Sequence, residues 1–242
     1  MGGKRLISFS VYGPDEVYQS GAIANAVAAR QFFPGWTARF YVEDKLYGKL
    51  ARRLEPLGAE VVKMRRKSAF DGTFWRFLAM DDPDVDAVIG RDVDALLCPR
   101  NKVVVDEWMA SNQGFHIIRD HPHHRSLILA GLWGARRGVL PPMSSLINEW
   151  LRRGGSNTNY GDDQRFLSRL VYPLVSNQAY IHADFVAFGE EEVHPIHAPR
   201  PHGHWLGYPP VRGELSQSRL DDFQRLSQSG LQRLNFDQCP YL

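Results

Sequence analysis

Apolar and amphipathic stretches alternate along the first part of the chain. Leu6-Ile7-Ser8-Phe9-Ser10-Val11-Tyr12 is a short apolar run closed by Gly13-Pro14, the pattern of a buried strand. Asp15 then suits the cap of an alanine-rich helix from about Glu16 to Phe32, with apolar residues at Val17, Ala24, Val27 and Ala28 and a stop at Pro34-Gly35. Thr37 to Glu43 reads as a second strand, Lys45 to Leu57 as a second helix closed by Gly58, and Ala59 to Met64 as a third strand. Strand, helix, strand, helix, strand predicts parallel strands with crossover helices in an open α/β sheet. Such sheets bind ligands beyond the carboxyl ends of their strands, where the strand order switches.

Further on, Gly72 to Ala79 predicts a short helix in which Arg76 stands among Phe74, Trp75 and Phe77. Val85 to Ile89 is an apolar, β-branched run that leads into Asp92-Val93-Asp94. Residues two apart on extended backbone point the same way, so the two carboxylates would converge at the carboxyl end of a central strand. Paired carboxylates suit a hard divalent cation, Mg²⁺ or Mn²⁺, that bridges to phosphate oxygens. Aspartate is equally common in an ordinary turn after a strand, so the spacing alone leaves both readings open.

A helix is expected from about Val104 to Ser111 and strands at Phe115–Arg119, Ser126–Ala135 and Ala179–Phe185. Ser144–Arg152 predicts a capped helix, and Gly154 to Asn159 a lid-like loop. Gly161-Asp162-Asp163-Gln164 opens another helix through Leu170, with Asp162 suited to cap it and Pro173 to stop it. Gly189 to Pro210 is loop-rich. Leu215 to Phe236 reads as one helix with an apolar stripe at Leu220, Phe223 and Leu226.

Composition narrows the function classes. The 242 residues include 43% hydrophobic and 23% charged, as in an ordinary globular α/β protein. A formal net charge of +2 is too small to argue for nucleic acid as the main partner. Cys98 and Cys239 match no metal spacing and form no disulfide framework, which leads to the expectation of a reducing cytosol. No stretch reaches the roughly 18 apolar residues that a membrane span needs, and the direct entry of Met1-Gly2-Gly3-Lys4-Arg5 into a strand-like run leads to the expectation of no signal peptide. Lys63-Met64-Arg65-Arg66-Lys67 reads as a solvated basic face, with an anion contact as the lesser reading. All nine histidines lie between His116 and His204. His121 and His124, in the loop after the Phe115 strand, show no metal-ligand spacing.

The ordered motifs resemble those of GT-A glycosyltransferases, in particular the glycogenin and bacterial lipooligosaccharide galactosyltransferase group, family eight. The carrying residues are Phe74-Trp75-Arg76-Phe77-Leu78, Asp84-Val85-Asp86-Ala87-Val88-Ile89, Asp92-Val93-Asp94, Leu129-Ala130-Gly131-Leu132 and Gly161-Asp162-Asp163-Gln164. Tyr12-Gly13-Pro14-Asp15, Gly21-Ala22-Ile23-Ala24-Asn25-Ala26 and Pro34-Gly35-Trp36-Thr37-Ala38-Arg39-Phe40-Tyr41-Val42 are similar to bacterial capsule-type glycosyltransferases. Leu129 departs from the asparagine usual at its position, and the family's metal-histidine motif is absent.

The resemblance implies a single GT-A, Rossmann-like domain over residues 1–212 with a mixed, mostly parallel sheet flanked by helices, and a helical extension over 213–242 packed on it. It implies a Mn²⁺- or Mg²⁺-dependent transfer from a nucleotide-diphosphate sugar, UDP-sugar favoured, to a glycan or glycolipid, at the cytoplasmic side and open to peripheral membrane contact. The nucleotide would lie on Ser10, Tyr12 and Gly13, with Arg76, Asp92 and Val93 at the diphosphate. The metal would be held by Asp92, Asp94 and His182, with His197 or His204 as alternatives. Asp163 and Gln164 would face the donor sugar, and Asp120 or Asp163 would serve as base in an inverting reaction. Two rivals share the layout: a sugar nucleotidyltransferase, and a non-catalytic sugar-nucleotide- or glycan-binding module.

Overall fold

Alternation along the first strand decides the layering. In β1 (Lys4–Val11), Ile7, Phe9 and Val11 point to one face of the sheet, while Leu6, Ser8 and Ser10 point to the other. The apolar set packs under α1 (Glu16–Phe32), α2 (Asp44–Leu54) and α3 (Pro99–Ala110). Asp15 caps α1 as expected, accepting from Val17 N–H at 2.9 Å. The two serines on the opposite face clamp one residue of a long 3-10 segment, Asp71–Asp81. Ser8 Oγ donates to the Arg76 carbonyl at 2.7 Å, and Ser10 Oγ accepts from the Arg76 N–H at 3.0 Å.

The structure, a computed structural model, describes residues 2–200, 204–209 and 217–242; His202 and the expected 212/213 boundary lie outside them. After β1 come β2 (Thr37–Glu43), β3 (Glu60–Met64), β4 (Val85–Arg91), β5 (Phe115–Arg119), β6 (Leu132–Arg136), β7 (Ala179–Ala183), β8 (Val186–Phe188) and β9 (Val193–His194). Among the described residues the main sheet has the order β3-β2-β1-β4-β6-β5-β7-β9. Each of its pairings is parallel except those that β6 makes with β4 and β5. The fold is therefore α/β with a mixed, mostly parallel sheet flanked by helices. The chain steps outward from β1 through β2 to β3 and then returns to β4 on the other side of β1. That reversal is the switch point of the sheet.

Three expected elements differ. The run Ser126–Ala135 is a strand only from Leu132. Its earlier carbonyls are taken by side chains: Ser126 and Leu127 by Arg119, Ile128 by the Ser126 hydroxyl, and Ala130 by both Arg76 and Trp133. The helix opened by Asp162 does not stop before Pro173. It runs as α5 (Asp162–Phe166), a π turn (Leu167–Val171) and α6 (Tyr172–Val175), following α4 (Met143–Arg152). The wider turn admits a proline that lacks a donor. The tail is not one helix either. After α7 (Gln217–Ser227), Gly230 turns with φ +64°, and β10 (Gln232–Leu234) pairs in parallel with β8.

The interior holds charge in two different ways. Arg119 is fully buried, paired with Glu191 by two hydrogen bonds and donating to two carbonyls. Arg91 is equally enclosed, but among the described residues it forms no ion pair, and its Nε and Nη2 find no acceptor. Burial pulls its pKa down to about 10. Arg119→Met should therefore cost about 3–5 kcal/mol by stranding Glu191, whereas Arg91→Met should leave stability within about 1 kcal/mol or raise it. Urea unfolding of both variants checks this. Comparable losses would mean that Arg91 has a partner of equal weight.

Four histidines are held neutral. Burial keeps His116 and His124 well below the ordinary value, lowers His182 against the opposing pull of Glu107, and takes His121 to about 4. His182 links His116 Nε2 at 2.8 Å to Glu107 Oε2 at 2.7 Å. The unfolded chain takes up these protons near pH 6.5 and the folded chain does not, so stability is full above that pH and falls below it. The loss should approach about 1.4 kcal/mol per pH unit for each of His116 and His124, the two held furthest below the ordinary value. Melting midpoints between pH 8 and 5 read the slope, which His116→Phe should make shallower. A flat profile below pH 6.5 would count against buried neutral imidazoles.

Candidate functional site

The carboxyl ends of β1 and β4 border a cleft of about 580 Å³, lined among others by Ser10, Tyr12, Asp92, Asp94, Asp163 and Gln164. Strand residues supply its floor and the start of α5 supplies one wall, so the motif at residues 92–94 and the one at 161–164 come together in space.

The loop carrying the two carboxylates is fixed from behind by α1. Asn25, fully buried in that helix, donates to the carbonyls of Val93 at 3.0 Å and Ala95 at 3.1 Å and accepts from Leu97 N–H at 3.0 Å. One turn earlier Gly21 admits the loop: a Cβ there would lie 2.2 Å from the Val93 carbonyl oxygen. Val93 is buried by this packing, while the Asp92 side chain stays 45% exposed toward the cleft. Gly131, just before β6, leaves room for it, since a Cβ at Gly131 would meet Asp92 Oδ2 at 2.1 Å.

Arg76 joins the two motifs. Its Nη1 lies 3.2 Å from Asp92 Oδ1, its Nη2 donates to Asp163 Oδ2 at 2.8 Å, and its Nε donates to Ala130 O at 3.0 Å. The planar fork thus has a partner in each direction. Burial opposes the charge on Arg76, but Asp92 and Asp163 outweigh it and hold the guanidinium pKa above its ordinary value. Burial raises the Asp163 carboxyl, with Arg76 pulling it back and Asp92 adding to the rise.

Ser10, Tyr12, Tyr18, Phe70 and Thr73 also line the cleft. Tyr12 stacks near Tyr18 with centroids 6.5 Å apart and meets Trp75 edge-on at 5.9 Å. Gly72 lies so close to the Tyr12 ring that a Cβ would be 2.4 Å from it. Gly13 turns with φ +81° and donates its N–H to Glu43 at 2.8 Å, and Arg66 reaches the same carboxylate at 3.2 Å. Gly13 itself does not line the cleft.

Several expected site residues lie elsewhere. Asp120 is fully buried, accepting from Arg100 at 2.8 and 2.9 Å, from Arg200 at 2.5 Å and from Leu206 N–H at 2.8 Å. It ties the loop before Gly207 to β5 and cannot meet a substrate hydroxyl. His182 sits within β7 in the buried His116–Glu107 chain, not at a strand end beside Asp94. His197 is exposed and His204 packs on Tyr208 at 4.3 Å, and neither lines the cleft. Asp162 does not cap α5. Its Oδ2 accepts from Thr158 and Asn159 N–H at 3.1 and 2.8 Å and so fixes the preceding loop. Among the described residues no three His, Cys, Asp or Glu side chains converge to hold a metal.

Tyr18, Thr73, His124 and Tyr160 line the cleft without having been singled out for it. His124 Nδ1 accepts from Asp120 N–H at 3.0 Å, an interaction with a loop neighbour that a dense histidine loop does not advertise. Leu129, where the resembled family has asparagine, also lines the wall.

Neither a protein-family model nor a curated protein matches the chain. Among solved structures it is similar to 4-diphosphocytidyl-2C-methyl-D-erythritol synthase of Anaerococcus prevotii, at 9% identity and TM-score 0.47, over 94% of this chain and 96% of that one. It is also similar to apo glycosyltransferase GlyE of Streptococcus pneumoniae, at 14% identity and TM-score 0.47, over 75% of this chain and 45% of that one. A mycobacterial protein follows at 14% identity and TM-score 0.41, over 72% and 75%. No helix among the described residues is long and apolar enough to cross a membrane.

Gly131→Ala should push Asp92 away from Arg76 and lower the melting midpoint, because the buried guanidinium loses one of its two carboxylates. An unchanged midpoint in Gly131→Ala would mean that Asp92 does not help to hold Arg76.

Proposed function

We propose that this chain is a metal-assisted glycosyltransferase of GT-A layout, moving a sugar from a nucleoside-diphosphate donor to a glycan or glycolipid acceptor. The observation that carries the reading is the Arg76 fork, which holds Asp92 of the D-x-D and Asp163 of the second motif in one cleft at the switch point. The family-eight assignment rests only on the sequence resemblance.

The donor fits the cleft by its chemistry. The base and ribose would lie against Ser10, Tyr12 and Tyr18, where aromatic faces are available. Asp92 and Asp94 would hold Mg²⁺ or Mn²⁺. Two protein carboxylates suit an ion whose remaining shell comes from phosphate oxygens and water. When bound, such an ion supplies Lewis acidity to a departing diphosphate. Arg76 keeps Asp92 oriented and adds positive charge beneath it. Asp163 and Gln164 would bind hydroxyls of the transferred sugar. Asp163 is engaged on both oxygens, by Arg76 and by the Gln164 N–H, so hydroxyl binding suits it better than proton abstraction.

The nucleotidyltransferase rival is less well supported. The turn after β1 has its Gly13 N–H committed to Glu43, whereas a triphosphate cradle needs such N–H groups free.

Calorimetry with UDP, GDP, CDP and dTDP, in Mn²⁺ and in chelator, tests the proposal. One nucleotide should bind with metal, lose at least about tenfold affinity in chelator, and lose as much in Asp94→Ala. Binding of none of the four, or binding indifferent to metal and to Asp94, would defeat the D-x-D reading and leave a binding module as the better account.

A further inference from the structure

One aromatic of the cleft has no part in the donor chemistry. Tyr160 is 80% exposed, the largest value among the large apolar side chains of the described residues, yet it lines the cleft. Its ring meets Phe70, another cleft residue, edge-on with centroids 6.4 Å apart and planes at 75°.

The loop that presents Tyr160 is tied down along its length. Trp150 Nε1 donates to Ser156 O at 2.8 Å, and its ring fills the space where Gly155 lacks a side chain. Ser68 Oγ donates to Asn157 O at 3.2 Å, which joins this loop to the one that ends in Phe70. Asp162 accepts from Thr158 and Asn159 N–H, and Gly161 turns with φ +81° against Tyr241. Tyr160 is thereby offered at a set position, three residues before Asp163 and four before Gln164.

We infer that Tyr160, backed by Phe70, is a platform that stacks on the apolar face of an uncharged pyranose of the acceptor. The inference rests on the transferase reading, because it uses Asp163 and Gln164 as the neighbours of the transferred sugar. A tyrosine joins a flat apolar face to a polar tip, and a pyranose joins a C–H face to a hydroxyl rim, so the two match in both parts. The engagement of the neighbouring cation favours a neutral ring. Arg165, the nearest cation along the chain, is paired with Asp162 at 3.1 Å and lies over Tyr241 at 5.9 Å. On the transferase reading the donor's base would take Tyr12 and Tyr18 instead, whose rings lie 6.5 Å apart.

Saturation-transfer NMR with a panel of methyl glycosides, in the presence of diamagnetic Mg²⁺ and the nucleotide found by calorimetry, provides the test. At least one glycoside should receive saturation mainly on the C–H protons of one ring face. Tyr160→Ala should weaken that contact about five- to tenfold, Tyr160→Phe should largely restore it, and nucleotide affinity should change less than twofold in both. Three results would overturn the inference: no glycoside contact in the wild type at millimolar concentration, equal contact in Tyr160→Ala, or loss of nucleotide rather than glycoside binding in Tyr160→Ala. If no nucleotide binds the wild type at all, the transferase reading falls first, and the calorimetry separates that failure from this one.

Discussion

A buried guanidinium placed between two carboxylates sets the terms for the rest of the cleft. Arg76 is almost wholly enclosed, and a charge in that position is tolerated only if hydrogen bonds and counter-charges meet it in every direction. Asp92, Asp163 and the Ala130 carbonyl do so from the turn after β4, from α5 and from the approach to β6. Three stretches far apart in the chain must therefore arrive at one point. The serines of β1 reinforce this by holding the Arg76 backbone itself. Movement of any one partner would leave an uncompensated charge, so the geometry of the cleft and the stability of the fold are coupled through this residue.

The same need explains why the chain approaches itself so closely around the D-x-D. Asn25 takes up three backbone groups of a loop that has no ladder to satisfy them. Gly21 and Gly131 remove side chains where the loop and Asp92 require the space. Asp92 to Ala95 is a turn closed by the Ala95 N–H on the Asp92 carbonyl at 3.2 Å, in which Val93 is buried and the two aspartates stay half-buried, so turn geometry and not a continued strand sets where the carboxylates point. Two carboxylates are thus kept on the surface of a cleft by a set of apolar and amide contacts behind them.

Much of this was readable from residue order. The apolar runs of β1 to β4 are bounded by glycine, proline and aspartate, and the strands fall where those runs do. Arg76, Asp92 and Asp163 stood out because charge interrupts apolar or glycine-rich surroundings. Asp120 and His182 carry the same local signature, a polar residue at or near the end of an apolar strand, and there the reading failed. What separates Asp120 from Asp92 is the arrival of Arg100 and Arg200, and what separates His182 from a metal ligand is His116 on the adjacent strand. Those partners come from distant sequence, so a local pattern does not contain them. The tail misread is of another kind. Gly230 was visible as a helix breaker, but the apolar stripe of α7 was extended through it.

The failed histidine expectation also constrains the chemistry. A site needing a protein-only cage would require a third ligand, and the buried His116–His182–Glu107 chain shows that His182 has been committed to the interior. The D-x-D keeps two carboxylates at the cleft, and on the proposed reading they would suit a cation that arrives with its substrate's oxygens. On that reading affinity for metal and affinity for nucleotide are one property of the cleft: each supplies what the other lacks, and neither is held strongly by the protein alone. A fork such as Arg76 then has a second consequence. By holding Asp92 in place before either ligand arrives, it limits the reorganisation that their joint arrival would otherwise demand.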